Sequence, residues 1–160
     1  KEMRPNNIGE FREPLGIPDI VEEGTDITLV SYGSTFNICV QAAQELKELG
    51  ISLELIDVQT LLPFDINHRI KDSVKKTNRL LIIDEDVSGG ATAYMLDKIL
   101  VEQEAYGYLD SAPSTLSSKD HRPAYGSDGD YFSKPSLEDI VEAAYAIMNE
   151  YSPKEFPSIY

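Results

Sequence analysis

Ile27-Thr28-Leu29-Val30-Ser31-Tyr32-Gly33 is a β-branched, apolar run closed by a glycine, the pattern of a strand that ends in a turn. Beyond it, Cys39, Ala42, Ala43, Leu46 and Leu49 recur at helical spacing, and Gly50 sits where such a helix stops. Ile51 to Val58 is a second apolar run. Strand, helix and strand within ~30 residues make a β-α-β unit, with parallel strands joined by a crossover helix. Ser34 or Thr35 is the expected cap of that helix.

The alternation continues downstream. Pro63-Phe64-Asp65 reads as a helix start with Asp65 as N-cap and Ile66, Ile70 and Val74 facing inward. Leu80-Leu81-Ile82-Ile83 is a continuous apolar run, as in a strand covered on both faces. Ser88-Gly89-Gly90 opens a helix with Met95, Leu96, Ile99 and Leu100 as its stripe, and Pro113 to Ser118 is a last, weaker strand. Residues 119–135 read as a long polar loop. Ser136-Leu137-Glu138-Asp139 is a capping signal for a terminal helix that Pro153 ends. Upstream, prolines and glycines punctuate residues 1–24, a leader or linker in which Asp19 to Glu22 can form an edge strand. The expected organisation is a linker over 1–24, a domain over 25–151 and a tail over 152–160. Alternating strands and helices imply a three-layer α/β/α sandwich.

The 160 residues suit one domain. The net charge of −14 excludes a nucleic-acid clamp, which needs clustered cations, and argues against an anionic membrane surface. No apolar run approaches the ~20 residues that span a bilayer, and no signal peptide is visible. The single cysteine, Cys39, excludes an internal disulfide and a cysteine-based zinc cluster, and a reducing, cytoplasmic location is expected. A start at Lys1 points to a fragment or a processed piece. Residues 1–80 carry 9 basic and 13 acidic side chains, whereas residues 81–160 carry 5 and 15. The second half therefore suits a basic partner, or simple solubility.

Three loops at strand ends carry candidate chemistry. Gly33-Ser34-Thr35 opens a helix, so its amides either hold an anion or are capped in the ordinary way; neither G-x-G-x-x-G nor a P-loop lysine is present. Asp84-Glu85-Asp86 gathers carboxylates that suit a cation, or a solvated loop or subunit contact, and strand alternation splays neighbouring side chains. Asp128-Gly129-Asp130 has the look of a calcium loop without its twelfth ligand and reads better as a glycine turn. His68 and His121 have no partner at metal spacing, and Cys39 lies on an apolar helix face. No G-x-S-x-G elbow is present. These residues describe a domain without its own catalytic set.

In order and spacing, the segments resemble the carboxy-terminal domain of the transketolase family, in particular the beta part of the thiamine-diphosphate-dependent first component of 2-oxo acid dehydrogenases. The resemblance covers about 15–151. It is carried by Glu23-Gly24-Thr25-Asp26-Ile27-Thr28-Leu29-Val30, Tyr32-Gly33, Gly50-Ile51, Ile56-Asp57, Thr60-Leu61-Leu62-Pro63, Asp65, Ser73, Lys76-Thr77, Arg79, Glu85, Gly89-Gly90, Leu109, Ala112-Pro113 and Asp120. Gln59, Tyr94, Thr115 and Asp120-His121-Arg122-Pro123 depart from the family pattern. The stretch from Arg122 to Phe132 is similar to branched-chain (2-oxoisovalerate-type) enzymes in which alpha and beta parts are fused.

The resemblance implies a five-stranded mixed sheet with its first strand antiparallel. It also implies a parent enzyme that decarboxylates a 2-oxo acid on thiamine diphosphate with Mg²⁺ and passes the acyl group to a lipoyl arm. No catalytic, cofactor-binding or metal residue carries over: Asp128-Gly129 lacks the preceding residue of the family's G-D-G motif, and Asn6-Asn7 falls in the wrong order. The implied role is assembly, against a second copy, against the remaining domains or subunits, and against the small basic subunit-binding domain of the acyltransferase. Asp128, Asp130, Ile159 and Tyr160 are the expected contact residues. A stand-alone acidic interaction module and a small anion-binding domain using Gly33, Ser34 and Thr35 are the alternatives.

Overall fold

Alternation along each strand gives the sheet two apolar faces, and both are covered by helices. The structure, a computed structural model, describes residues 6–10, 12–121, 125 and 129–158. Its strands are β1 (Asp19–Glu22), β2 (Ile27–Ser31), β3 (Leu53–Asp57), β4 (Leu80–Val87) and β5 (Ser114–Ser118). Its helices are α1 (Gly33–Glu48), α2 (Arg69–Thr77), α3 (Ala91–Asp97), α4 (Gly129–Ser133) and α5 (Leu137–Tyr151), and a π-helical turn at Lys98–Glu102 continues α3. The five strands run in the order β1-β3-β2-β4-β5. β1 is antiparallel to β3, and the other pairs are parallel. This is the mixed sheet with one antiparallel edge strand expected from the sequence.

Ile27, Leu29, Leu53, Leu55, Leu81 and Ile83 face α1 and α5, where Cys39, Leu46, Ile140 and Met148 complete one core. Val30, Ile56, Leu80 and Ile82 point the other way, onto Ile70 and Val74 of α2 and Met95 of α3. A buried polar group on that second face, the Thr28 hydroxyl, is satisfied by hydrogen bonds shared with Ser73 (2.6 Å) and Thr77 (2.7 Å) of α2.

Gly24 and Arg79 join elements at the amino end of the sheet. A Cβ on Gly24 would lie 2.1 Å from the Leu53 carbonyl carbon, so the chain passes there only as glycine. The Gly24 amide donates to buried Glu54, which also pairs with Lys76. Arg79, 5% exposed, donates to the Asp26 carbonyl (2.9 Å), pairs with Asp110 (2.7 Å) and stacks 3.5 Å from the Tyr151 ring. One guanidinium thus binds the β2 entrance, the loop before β5 and the end of α5.

The structure corrects several local expectations. α2 starts at Arg69, not near Pro63, because Asp65 and His68 adopt positive φ (35° and 56°) and turn the chain. Asp65 still serves that helix from a distance, accepting from the Arg69 (2.8 Å) and Ile70 (2.9 Å) amides, while Ile66 points outward. Neither Ser34 nor Thr35 caps α1: Tyr32 is its N-cap, without a side-chain bond. Gly129 opens α4 rather than making a plain turn, so the polar loop holds a short helix. In the tail, Phe156 is 7% exposed against the first core and its carbonyl accepts from Asn149. The capping box at Ser136 and Asp139 is present as read.

Candidate functional site

β2 and β4 are neighbours, but the chain leaves them in opposite directions: β2 leads through α1 to β3, and β4 through α3 to β5. Their carboxyl ends therefore part, and a crevice opens at the place where open α/β sheets bind ligands. A cleft of about 450 Å³ lies there, bounded by the first turn of α1 with Ser34 and Thr35, by Glu85, by α4 and by the start of α5. Beside it, a second hollow of about 360 Å³ is lined by Tyr32, Gly33, Ser34, Asp84, Glu85, Asp86 and Lys134.

β4 runs on to Val87, so the acidic triplet lies within a strand and its side chains diverge, as alternation requires. Asp84 turns toward the second core and is buried, accepting from the Tyr32 hydroxyl (3.0 Å) and the Glu85 amide (2.7 Å). Partial burial, reinforced by Asp84, raises the Tyr32 phenol to about 12. Glu85 turns to the opposite face and pairs with Lys134 (2.9 Å). Its carboxyl is held below the ordinary range, first by the Lys134 hydrogen bond and then by the Ser34 hydroxyl. Lys134 is raised in turn, chiefly by Glu85.

The sequence candidates Gly33, Ser34, Thr35, Asp84, Glu85, Asp86 and Asp130 meet here. Gly33, Ser34 and Thr35 form the rim on α1, and Asp130 lies 3.7 Å from the Lys134 ammonium. Asp128, Ile159 and Tyr160 lie outside the described residues. His68 and His121 lie apart and are exposed, whereas Cys39 is fully buried in the first core. Burial raises the Cys39 thiol to about 12. Lys134 was not singled out from the sequence, although it is the only cation between Arg122 and Lys154 in a strongly acidic half.

The crevice does not suit an anionic cofactor. The α1 N-terminus already faces the Glu85 carboxylate, and Asp84, Asp86 and Asp130 add negative charge around it. Among the described residues, no group of three or more His, Cys, Asp or Glu side chains is placed to hold a metal ion. Thiamine diphosphate with Mg²⁺, the group the family implies, does not fit these residues.

A three-layer α/β domain with a mixed sheet and a charged crevice at its topological switch point is the class that fold and site define. The chain belongs to the family described as transketolase, C-terminal domain, whose model matches residues 18–135. It is 33% identical over 140 residues to the pyruvate dehydrogenase E1 component subunit beta of Rhizobium meliloti (strain 1021), covering 88% of this chain and 30% of that one. It is 31% identical over 134 residues to the mitochondrial pyruvate dehydrogenase E1 component subunit beta-1 of Arabidopsis thaliana, covering 84% and 36%. The chain thus spans about a third of the length of these curated relatives. Among solved structures, a split-gene transketolase described as an inactive beta4 tetramer superposes with a TM-score of 0.70 at 22% identity, covering 88% of this chain and 44% of that chain. A transketolase variant from Pichia stipitis gives 0.62 at 16% identity, covering 91% and 20%. At such identities these two likenesses speak for the fold alone. No helix among the described residues is long and apolar enough to cross a membrane.

Proposed function

We propose that this chain is the assembly domain of a beta-type subunit, or of a fused alpha-beta chain, in the first component of a 2-oxo acid dehydrogenase. The observation that carries this reading is the surface that follows the strand ends. Leu62 and Ile66 after β3, Val87 at the end of β4, and Tyr131 and Phe132 in α4 are all exposed on a chain of net charge −14. Exposed apolar groups here, with others such as Leu49, Tyr106 and Tyr151 elsewhere on the surface, suit a domain that packs against partners on more than one side. The family match and the beta-subunit relatives agree with it.

In this reading the domain contributes no catalytic group. Thiamine diphosphate and Mg²⁺ belong to the other parts of the parent enzyme, which would decarboxylate the 2-oxo acid and pass its acyl group to a lipoyl arm. The assembly unit is residues 25–151, completed by the edge strand β1 from the 1–24 leader and by Phe156 from the 152–160 tail. Its partners are a second copy, the remaining domains or subunits, and the basic subunit-binding domain of the acyltransferase, met by Asp128, Asp130, Ile159 and Tyr160. An intracellular, reducing location goes with this role.

The finer reading of the substrate is a branched-chain 2-oxo acid, from the resemblance of residues 122–132. The relatives above are named for pyruvate, which makes pyruvate the competing substrate. Turnover of 2-oxoisovalerate against pyruvate by the enzyme reconstituted with its upstream part decides between them. The anion-binding alternative is disfavoured by Glu85, whose carboxylate faces the α1 N-terminus beside Ser34.

Calorimetric titration of the 160-residue chain with thiamine diphosphate and Mg²⁺ tests the assembly role. No saturable heat is expected. Tight, Mg²⁺-dependent binding would sink the reading.

A further inference from the structure

A hollow of about 270 Å³ lies between the loop that follows β3 and the π-helical turn at Lys98–Glu102, and it shares no lining residue with the crevice at the ends of β2 and β4. The turn brings Gln103 to its wall. The Gln103 amide donates to the Lys98 carbonyl five residues back (2.9 Å), so the helix holds one residue more than an α-turn and Gln103 is swung by about 100° around the axis. Turns of this kind persist mostly at functional sites. Gln103 is 5% exposed, and its Nε2 donates to the Asp65 carboxylate (3.1 Å) and to the Asp65 carbonyl (3.3 Å). Reversing the amide would set Oε1 against both of these acceptors, so its orientation is fixed. Oε1 is then left buried with no hydrogen-bond partner. An orphaned acceptor inside a protein costs free energy that a donor would recover.

We infer that the hollow binds a small neutral ring compound whose N–H or O–H, as in an indole or a phenol, donates to Gln103 Oε1. The walls select that chemistry. Phe64 and Tyr94, edge to face at 6.0 Å, join Leu62, Pro63 and Ile66 in an apolar surface against which a flat ring packs. The charges there are already matched: Lys98 pairs with Glu102 (2.5 Å), and the buried Asp65 carboxylate accepts from the Arg69 and Ile70 amides as well as from Gln103. A charged ligand would find no unmatched Asp, Glu, Lys or Arg, and a purely apolar one would leave Oε1 unpaired. The volume lies just under the range of drug-sized pockets, which suits one ring system rather than a nucleotide or a peptide. The walls are set before binding. The Tyr94 hydroxyl donates to the Leu61 carbonyl (3.0 Å) and the Gly16 amide to Thr60 (2.7 Å), so little ordering opposes a ligand. The site is a property of these residues and does not rest on the dehydrogenase reading.

Nuclear magnetic resonance titration of the isotope-labelled 160-residue chain with indole tests the site. Benzofuran, the same fused rings with an oxygen acceptor in place of the N–H, is the comparison. Indole is expected to give saturable shifts confined to residues 61–68 and 94–103, the Gln103 side-chain amide among them. Benzofuran should bind at least about tenfold more weakly, since it leaves Oε1 without a donor. Gln103→Met, which keeps an unbranched side chain and removes the acceptor, should bring the two compounds to the same affinity. Circular dichroism checks that this variant is folded, and the wild-type comparison stands without it. No saturable shifts with indole, or shifts spread over the whole surface, would overturn the inference. Equal affinity for indole and benzofuran in the wild type would overturn it too and leave Oε1 to an ordered water. So would a folded Gln103→Met chain that still prefers indole.

Discussion

The Lys134 ammonium lies 2.9 Å from the Glu85 carboxylate, tying the chain just before α5 to the carboxyl end of β4. The Ser118 hydroxyl donates to the Glu85 carbonyl (2.5 Å), and the Lys119 amide to the Ser133 carbonyl (2.9 Å), so the end of β5 is tied both to β4 and to α4. Both charged side chains are about 40% exposed, so the pair ranks as a surface interaction.

Glu85→Gln should therefore cost less than about 1 kcal/mol in global stability. Its effect should be local, as faster amide hydrogen exchange across residues 129–135. The pH dependence has a definite sign. The Glu85 carboxyl is depressed in the fold, so its contribution is present above the ordinary carboxylate range and is lost as pH falls through the depressed value. Lys134 is raised, so its contribution is present below the ordinary lysine range and fades as pH rises through the raised value. Exchange across 129–135 that is the same in wild type and variant would show that the pair does not hold this segment.

Arg79→Ala should destabilise the chain by about 3–5 kcal/mol, because it removes a buried ion-pair partner together with a ring stack. Asp110 would lose its cation and Tyr151 its cover. Urea unfolding followed by circular dichroism measures the loss, and a change below about 1 kcal/mol would place the clamp among ordinary surface contacts.

Gly24→Ala should be severe although it adds a single methyl group. The new Cβ would lie 2.1 Å from backbone that cannot swing away, and β1 and β3 would have to separate. A loss above about 3 kcal/mol, or failure to accumulate as folded protein, is expected. Gly89→Ala, where a Cβ meets nothing within 4 Å, should cost less despite its positive φ of 83°.

Cys39 should resist thiol reagents in the native chain and react on unfolding. Its thiol is raised from 9.0 to about 12 by burial. Between those values the unfolded chain releases a proton that the folded chain keeps, so stability should fall as pH rises through that window. Rapid labelling under native conditions at neutral pH would contradict the buried placement.

Much of the architecture was legible because strand and helix periods differ. The apolar runs at Ile27 and Leu80 could lie only in covered strands, and Ser136 to Asp139 announced α5 through local bonds. Asp65 shows where such reading stops. It was expected to cap a helix directly behind it, but it reaches Arg69 and Ile70 across a turn set by positive φ at Asp65 and His68. Gly33-Ser34-Thr35 was legible as a helix start, whereas the anion facing it was not: Glu85 arrives from another strand, and Lys134 from a segment 49 residues further on. Long-range charge pairing leaves no local periodic trace. The docking of Phe156 was equally invisible, since one aromatic in a short tail carries no period at all.

The central claim is that this end of the domain serves assembly. Its most direct test is calorimetric titration of the chain with the basic subunit-binding domain of the acyltransferase, in wild type and in Asp130→Lys. The account predicts saturable binding to the wild type that weakens with salt and weakens further in the variant, with both proteins equally folded. Absence of binding at any salt concentration, or binding indifferent to both salt and Asp130, would contradict it.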